Sequence, residues 1–245
     1  MIKTNRSPII QTGFIKNRLD AQPYPYTMKL LNSDDIPQVV EFHNKVIDAL
    51  PDSDLCWRFP VSYIERYLGD QGITIGVFVE KQLIGFRVLY FPGNQAENPG
   101  LDMGLDNSEL DQVAHLPLSN VHPDFTGNSL QKNMTLQVIN IAKETRDFRY
   151  LCSIVSPKNY ASMTEKFEVG MVVGQLKIKY GKFLRYIFYK DMVKPLELSK
   201  KNAIFIPSID TERQMELLEQ GYYGFQLSKQ QEKKGILFGK RMGVC

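Results

Sequence analysis

The segment LSNVHPDFTGNSLQK, residues 118–132, decides how the rest of the chain is interpreted. An apolar run ends at Pro123, small polar residues surround Gly127, and an amphipathic pattern begins at Ser129. This order predicts a strand, a sharp polar turn and the first turn of a helix. A helix start leaves backbone N–H groups without intrahelical acceptors, and the helix dipole adds positive potential there. The segment therefore predicts a site for an anion, most often a phosphate.

Strand and helix patterns alternate on both sides of this segment. Strands are predicted over 26–31, 73–80, 83–91, 112–121, 149–155, 172–179, 183–190, 203–206 and 236–239, and helices over 33–50, 62–68, 129–146, 159–170 and 211–219. A long polar loop is expected over 93–110, and Pro117 marks an edge or a bulge because it lacks a backbone donor. Helices mixed with strands in this order predict an α/β domain with a mixed sheet.

Three segments are expected along the chain. Residues 1–24 show no clear periodicity and are predicted to form an N-terminal arm. Residues 25–195 carry the alternating pattern and form the main domain. Residues 196–245 are predicted to be a C-terminal strand–helix–strand extension packed on that domain.

Composition narrows the class of protein. The chain has 245 residues and a formal charge of +3, which is too small to indicate nucleic acid or an anionic membrane as partner. No run of about 18 apolar residues predicts a membrane span, and the first residues lack the apolar core of a signal peptide. The cysteines, Cys56, Cys152 and Cys245, are odd in number and not spaced as metal ligands. A cytoplasmic protein without a metal is the expectation.

Two motifs resemble the GNAT superfamily of acyl-CoA-dependent N-acyltransferases. The first is Val121-His122-Pro123 with the following loop, which is similar to the family's strand end and cofactor loop. Thr126 stands where the family has Arg or Gln, and Ser129 and Gln131 stand at its two glycines. The second is Asn159-Tyr160-Ala161-Ser162 followed by Gly170-Met171, which resembles the family's Asn-x-x-Ala/Ser helix and Gly-Phe end. The match covers about residues 28–192.

The resemblance implies a GNAT fold, in which a mixed and mostly antiparallel sheet with splayed central strands is flanked by helices. It implies acetyl-CoA as cofactor, with its pantetheine arm in the cleft between strands 112–121 and 149–155. The main chain of the first strand would pair with that arm, and the loop would bind the pyrophosphate. The implied cofactor residues are Ser119, Asn120, Val121, Thr126, Gly127, Asn128, Ser129, Leu130, Gln131, Asn159 and Ser162. Ser129 and Gln131 are expected to have helical φ angles.

The implied reaction is N-acetylation of a primary amine on a small molecule or peptide, by direct attack on the thioester. His115 is the candidate base, with a structural core histidine as the alternative. The family's acid position, seven residues after Asn159, holds Lys166, so Tyr160 is the candidate acid, with packing as its alternative. These departures keep a second hypothesis open, a catalytically weak acyl-CoA-binding or regulatory protein on the same fold. The amine acceptor is not identified, and a homodimer is left open.

Overall fold

A computed structural model describes residues 8–242, which divide into two compact units. The strands are β1 Ile9–Lys16, β2 Pro23–Leu31, β3 Gly72–Val79, β4 Gln82–Tyr90, β5 Val113–His115, β6 Ser119–Val121, β7 Tyr150–Val155, β8 Val172–Lys179, β9 Phe183–Asp191, β10 Ile204–Pro207, β11 Tyr222–Gln230 and β12 Lys233–Lys240. The helices are α1 Ile36–Asp48, α2 Val61–Tyr67, α3 Pro99–Asp102, α4 Asn107–Leu110, α5 Leu130–Thr145, α6 Tyr160–Glu168 and α7 Thr211–Glu219. None of these helices combines the length and apolarity needed to cross a bilayer.

Unit 1 contains the described residues of Met1–Pro51, together with Arg58–Phe91 and Leu116–Asp147. Its strands pair antiparallel in the order β1, β2, β3, β4, β6. α5 packs on β4 and β3 and buries Met134, Val138 and Ala142 because these positions recur at helical spacing. The helix that begins at the polar turn is therefore anchored along its inner face.

Unit 2 contains Asp52–Trp57, Pro92–His115 and the described residues of Phe148–Cys245. β5 pairs parallel with β7, and β9, β8, β11, β12 and β10 follow with antiparallel pairing. α6 and α7 both contact β11, so the predicted C-terminal extension is part of the packing of this unit. The predicted boundaries after residues 24 and 195 stay predictions.

The N-terminal arm is the largest correction to the predicted elements. Residues 9–16 form an edge strand on β2, whereas the first seven residues of the arm lie outside the described residues. The strand leaves Ile9 and Phe14 exposed, at 66% and 75%, so it lacks the apolar alternation that identifies a half-buried strand. Backbone pairing with β2, which a periodicity argument cannot detect, defines β1.

Three other predicted elements differ from the structure. The loop expected over 93–110 contains the short helices α3 and α4, each capped by the side chain of the preceding residue, Asn98 or Asp106. The single strand expected over 112–121 is two strands, because Pro117 cannot donate to a ladder and the pairing partner changes from β7 to β4. β11 was not predicted, and the expected final strand near 236–239 is the longer β12.

Candidate functional site

The polar turn before α5 presents a row of unused backbone donors. A 3-10 turn over Pro123–Phe125 precedes it, and the first helical hydrogen bond runs from the Asn133 N–H to the Ser129 carbonyl at 3.0 Å. Within residues 8–242 the N–H groups of residues 127–131 have no hydrogen-bond acceptor, and no side chain caps the helix start. Because such donors gain most from an anionic acceptor, the turn can chemically accommodate a phosphate or a carboxylate.

The backbone of the turn is left-handed at two positions. Gly127 has φ +83°, and nothing lies within 4 Å of the position that a Cβ would occupy. Ser129, for which a helical φ was expected, has φ +54°, so that prediction is wrong. Gln131 lies inside α5 as expected. The two left-handed residues turn the chain sharply before the helix, which keeps the N–H groups on the outer side of the turn.

Side chains of the turn are tied to the hairpin of β1 and β2, whose first strand lies within the predicted N-terminal arm. Asn128 accepts from the Lys16 N–H at 3.1 Å and donates to the Lys16 carbonyl at 2.8 Å. The Arg18 guanidinium donates to Thr126 Oγ1 at 2.9 Å. The side chains of Thr126 and Asn128, predicted as cofactor contacts, therefore hold the hairpin against the turn.

β6 keeps one edge without a strand partner among residues 8–242, since its only pairing is with β4. The Val88 N–H donates to the Leu118 carbonyl, and the His122 N–H donates to the Ile84 carbonyl. The main-chain groups of Leu118 and His122 therefore face β4, and every second residue between them does the same. By this alternation the main chain of Asn120 faces β4, whereas that of Ser119 and Val121 faces the open edge. Ser119 Oγ is also buried without a hydrogen-bond partner. The open edge can therefore accept an extended ligand at Ser119 and Val121, but not at Asn120.

The side chain of Asn120 has a structural contact instead. Its Oδ1 lies 2.8 Å from His43 Nδ1, and His43 Nε2 accepts from the Phe59 N–H at 3.1 Å. Because the Phe59 contact requires an unprotonated Nε2, the proton resides on Nδ1. Burial lowers the pKa of His43 below its ordinary value, against the raising effect of Asn120. The neutral histidine thus joins α1, β6 and the segment before α2.

In unit 2, His115 lies at the end of β5 and is 6% exposed. Its Nε2 atom is buried and has no hydrogen-bond partner. Burial, followed by the charges of Lys179 and Lys166, lowers the pKa of His115 from 6.5 to about 3. The imidazole is therefore neutral at physiological pH and a weak acceptor of protons. Its predicted role as the base stays a prediction.

The start of α6 holds the other predicted residues. Asn159 caps the helix by accepting from the Ser162 N–H at 3.0 Å, and its Nδ2 donates to the Leu55 carbonyl at 3.1 Å. Tyr160 lies under Lys234, whose Nζ is 4.9 Å from the ring centroid. Both ends of the Asn159 amide are therefore used within the unit, and the cofactor and acid roles predicted for Asn159, Ser162 and Tyr160 stay predictions.

The residue at the family's acid position is fully enclosed. Lys166 is 1% exposed and forms an ion pair with Glu165, which is 4% exposed. Removing one partner of a buried ion pair leaves an uncompensated charge, so the ammonium of Lys166 is stabilised where it lies by Glu165.

A charged cluster that was not predicted surrounds the buried Arg185 and includes Asp52 and Asp54 of the 52–57 segment. Arg185 of β9 is 2% exposed, donates to Asp54 and the Leu184 carbonyl, and has a buried Nη2 without a partner. Lys158 lies 2.9 Å from Asp52 and 3.4 Å from Asp54. Only the three-dimensional packing brings these residues together, because more than a hundred positions separate Asp54 from Arg185 along the chain.

Comparison with known proteins identifies the fold. No protein-family model matches the sequence, and no curated protein matches it. Among solved structures, the GNAT domain of S. lividans PAT superposes with a TM-score of 0.50 at 13% identity, covering 74% of this chain and 96% of that one. Arabidopsis thaliana NAA60 in complex with acetyl-CoA gives 0.52 at 14% identity, covering 69% and 99%. The putative acetyltransferase yncA of Salmonella typhimurium with its cofactor acetyl-CoA gives 0.51 at 13% identity, covering 68% and 94%.

These likenesses establish the class of architecture. The chain has the GNAT fold, a mixed α/β arrangement with mostly antiparallel strand pairing, as the two motifs predicted. The superposed region spans nearly the whole length of those structures, and about a quarter to a third of this chain lies outside it.

Proposed function

We propose that this protein is an acetyl-CoA-dependent N-acetyltransferase that acylates a primary amine of a small molecule or peptide. The observation that carries the proposal is the turn before α5, where the N–H groups of residues 127–131 lack acceptors. A pyrophosphate is an acceptor of suitable charge and size for such a row of donors. Two structures with this fold, at 13% and 14% identity, contain acetyl-CoA.

The residues of unit 1 fit that cofactor. The main chain of residues 127–131 would bind the pyrophosphate, and the open space at Gly127 admits close approach. The open edge of β6 would pair with the pantetheine amides through Ser119 and Val121, as an added strand does. The orphaned Ser119 hydroxyl would gain a partner there. When bound, acetyl-CoA supplies a thioester carbonyl that an amine attacks, with the thiol as leaving group.

Proton transfer in this reaction would involve the candidate base His115 and the candidate acid Tyr160. His115 is neutral, as a base must be, but its pKa of about 3 makes it weak. A thiol with an ordinary pKa near about 8.5 leaves without strong acid assistance, so a missing acid at position 166 does not exclude the reaction. The reaction then relies on positioning of a neutral amine and on removal of its proton by His115 or solvent, with Tyr160 as the candidate acid for the thiolate.

Binding and turnover test the proposal separately. We expect titration calorimetry to show 1:1 binding of acetyl-CoA, and free thiol to appear when primary amines are added with it. An absence of heat at high micromolar acetyl-CoA would contradict the cofactor assignment. A matched titration with pantetheine, which lacks the phosphates, should give much weaker binding because the turn then has no anion to bind.

A second function, an acyl-CoA-binding or regulatory protein with little catalysis, is favoured by one specific observation. The residue at the family's acid position and the candidate base are both poorly suited to proton transfer. Lys166 forms a buried ion pair with Glu165, and the pKa of His115 is far below neutrality. Acetyl-CoA binding without thiol release across a broad panel of amines and peptides would select this function. A cytoplasmic location and a homodimer belong to the same proposal and are tested by fractionation and light scattering.

A further inference from the structure

The turn itself offers no positive side chain to a phosphate. Between Pro123 and Gln131 the only charged side chain is Asp124, which is negative. Backbone N–H groups contribute partial charges only, whereas a pyrophosphate carries more than one full negative charge near neutral pH. A cation from another part of the chain would therefore raise the affinity of this turn for a phosphate.

The N-terminal hairpin brings such a cation to the turn. The Arg18 guanidinium donates to Thr126 Oγ1 at 2.9 Å, and Thr126 Oγ1 in turn donates to the Pro123 carbonyl at 2.9 Å. The Arg18 N–H donates to the Asp124 carbonyl at 2.7 Å. Among residues 8–242 no carboxylate pairs with Arg18, so the remaining donors of its guanidinium are available to a ligand.

The position of Arg18 is set by the backbone rather than by its own side chain. Lys16, two residues earlier, is held to Asn128 by two hydrogen bonds, one in each direction. The tight turn that follows is closed by the Asn17 N–H to Gln22 carbonyl bond and the Ala21 N–H to Asn17 carbonyl bond, both 3.0 Å. Arg18 therefore starts close to the phosphate-binding donors, which lowers the entropy lost when it binds an anion.

We propose that Arg18 of the N-terminal hairpin is a ligand of the phosphates of coenzyme A and supplies the positive charge that the turn lacks. The inference rests on the proposed function, since it assigns a residue to the same cofactor. It gives the β1–β2 hairpin a role beyond packing, because the residues between its two strands bring Arg18 to a turn more than a hundred positions away. Arginine suits this role because its planar fork donates to two phosphate oxygens at once.

The test compares coenzyme A affinity in the full chain with variants R18Q and K143Q. Lys143 is the matched control because it is exposed and lies on α5, about 20 Å along the helix axis from the turn. We expect R18Q to weaken coenzyme A binding roughly 5- to 20-fold at low salt, and K143Q to change it less than about twofold. R18Q should also flatten the dependence of affinity on salt concentration.

A further variant and a second ligand sharpen the result. T126V removes the side-chain anchor of Arg18 but keeps its charge, so we expect a smaller loss than in R18Q. Dephospho-coenzyme A, which lacks the 3′-phosphate, shows which phosphate Arg18 binds. If R18Q weakens binding of this ligand as much as it weakens binding of coenzyme A, Arg18 binds the pyrophosphate. If R18Q does not weaken its binding, Arg18 binds the 3′-phosphate. Thermal unfolding of the variants in the absence of ligand should stay close to that of the wild type, because the two Asn128 bonds and the pairing of β1 with β2 remain in each of them.

The outcomes separate the inference from the function on which it rests. Tight coenzyme A binding by the wild type with no difference between R18Q and K143Q would overturn the role of Arg18 and leave the proposed function standing. No coenzyme A binding by the wild type would overturn both. A loss confined to R18Q and T126V, with unchanged melting temperatures, supports the assignment.

Discussion

His115 makes the stability of the protein depend on pH, and the size of the effect can be worked out. Its Nε2 is buried without a partner, and burial lowers its pKa from 6.5 to about 3 in the folded protein. The unfolded chain therefore binds a proton at mildly acidic pH that the folded chain does not. The stabilising neutral form contributes fully above the unfolded pKa, and stability falls as the pH drops below about 6.5.

The magnitude follows from the two pKa values. The difference between the unfolded pKa of 6.5 and the folded pKa of about 3 corresponds to about 4–5 kcal/mol of stability. The full amount is lost only when the pH falls below the folded pKa. Between pH 7 and pH 5 we expect His115 alone to remove about 2 kcal/mol from the free energy of unfolding. That loss is a large part of the stability of an ordinary domain.

The assay is urea unfolding of the wild type and of His115→Leu at pH 7 and pH 5. Leucine fills a similar volume and removes a polar atom that has no partner, so stability at pH 7 should change little. At pH 5 the variant should be more stable than the wild type by about 2 kcal/mol. His122→Asn is the control: His122 is partly buried and close to Asp124, and the pH dependence of this variant should stay near that of the wild type.

One result would refute this reasoning. If His115→Leu loses as much stability between pH 7 and pH 5 as the wild type does, His115 is not held neutral by burial. An imidazole that titrates normally would then be a stronger candidate base, and the pH profile of thiol release should follow its titration.

Two further predictions concern unit 1. Gly127→Val places a β-branched residue at φ +83°, which costs about 1–2 kcal/mol of strain. We therefore expect a lower coenzyme A affinity by calorimetry and a lower melting temperature. An unchanged affinity would contradict a phosphate-binding turn. His43→Leu removes the hydrogen bonds that His43 makes with the Asn120 side chain and the Phe59 N–H. We therefore expect urea unfolding to show a free energy of unfolding lower by about 2–4 kcal/mol. A loss under about 1 kcal/mol would show that these two bonds contribute little to stability.

Much of the fold was accessible from local pattern. The helix before Leu50, the two hairpins and the helix after Ser129 follow from apolar spacing and turn residues, which act within a few positions. The turn before α5 was recognised for the same reason, since the change from apolar to small polar residues and then to a helical pattern is local. The left-handed φ of Ser129 in this turn was missed.

Contacts between distant segments were not accessible from local pattern. β1 lacks the alternating buried face that would predict a strand. The break at Pro117 separates two strands, β5 and β6, which pair with different partners, and this pairing is visible only in the structure. The contact between Arg18 and Thr126 and the burial of His115 likewise depend on neighbours that chain topology brings together. The sequence by itself thus predicted an α/β domain with a mixed sheet and a polar turn before a helix, because short-range periodicity and turn residues indicate both. The resemblance of its two motifs added the expectation of a GNAT fold. Only the tertiary structure decided which charges surround the turn and which titratable groups are neutral, because desolvation and long-range pairing depend on the assembled fold.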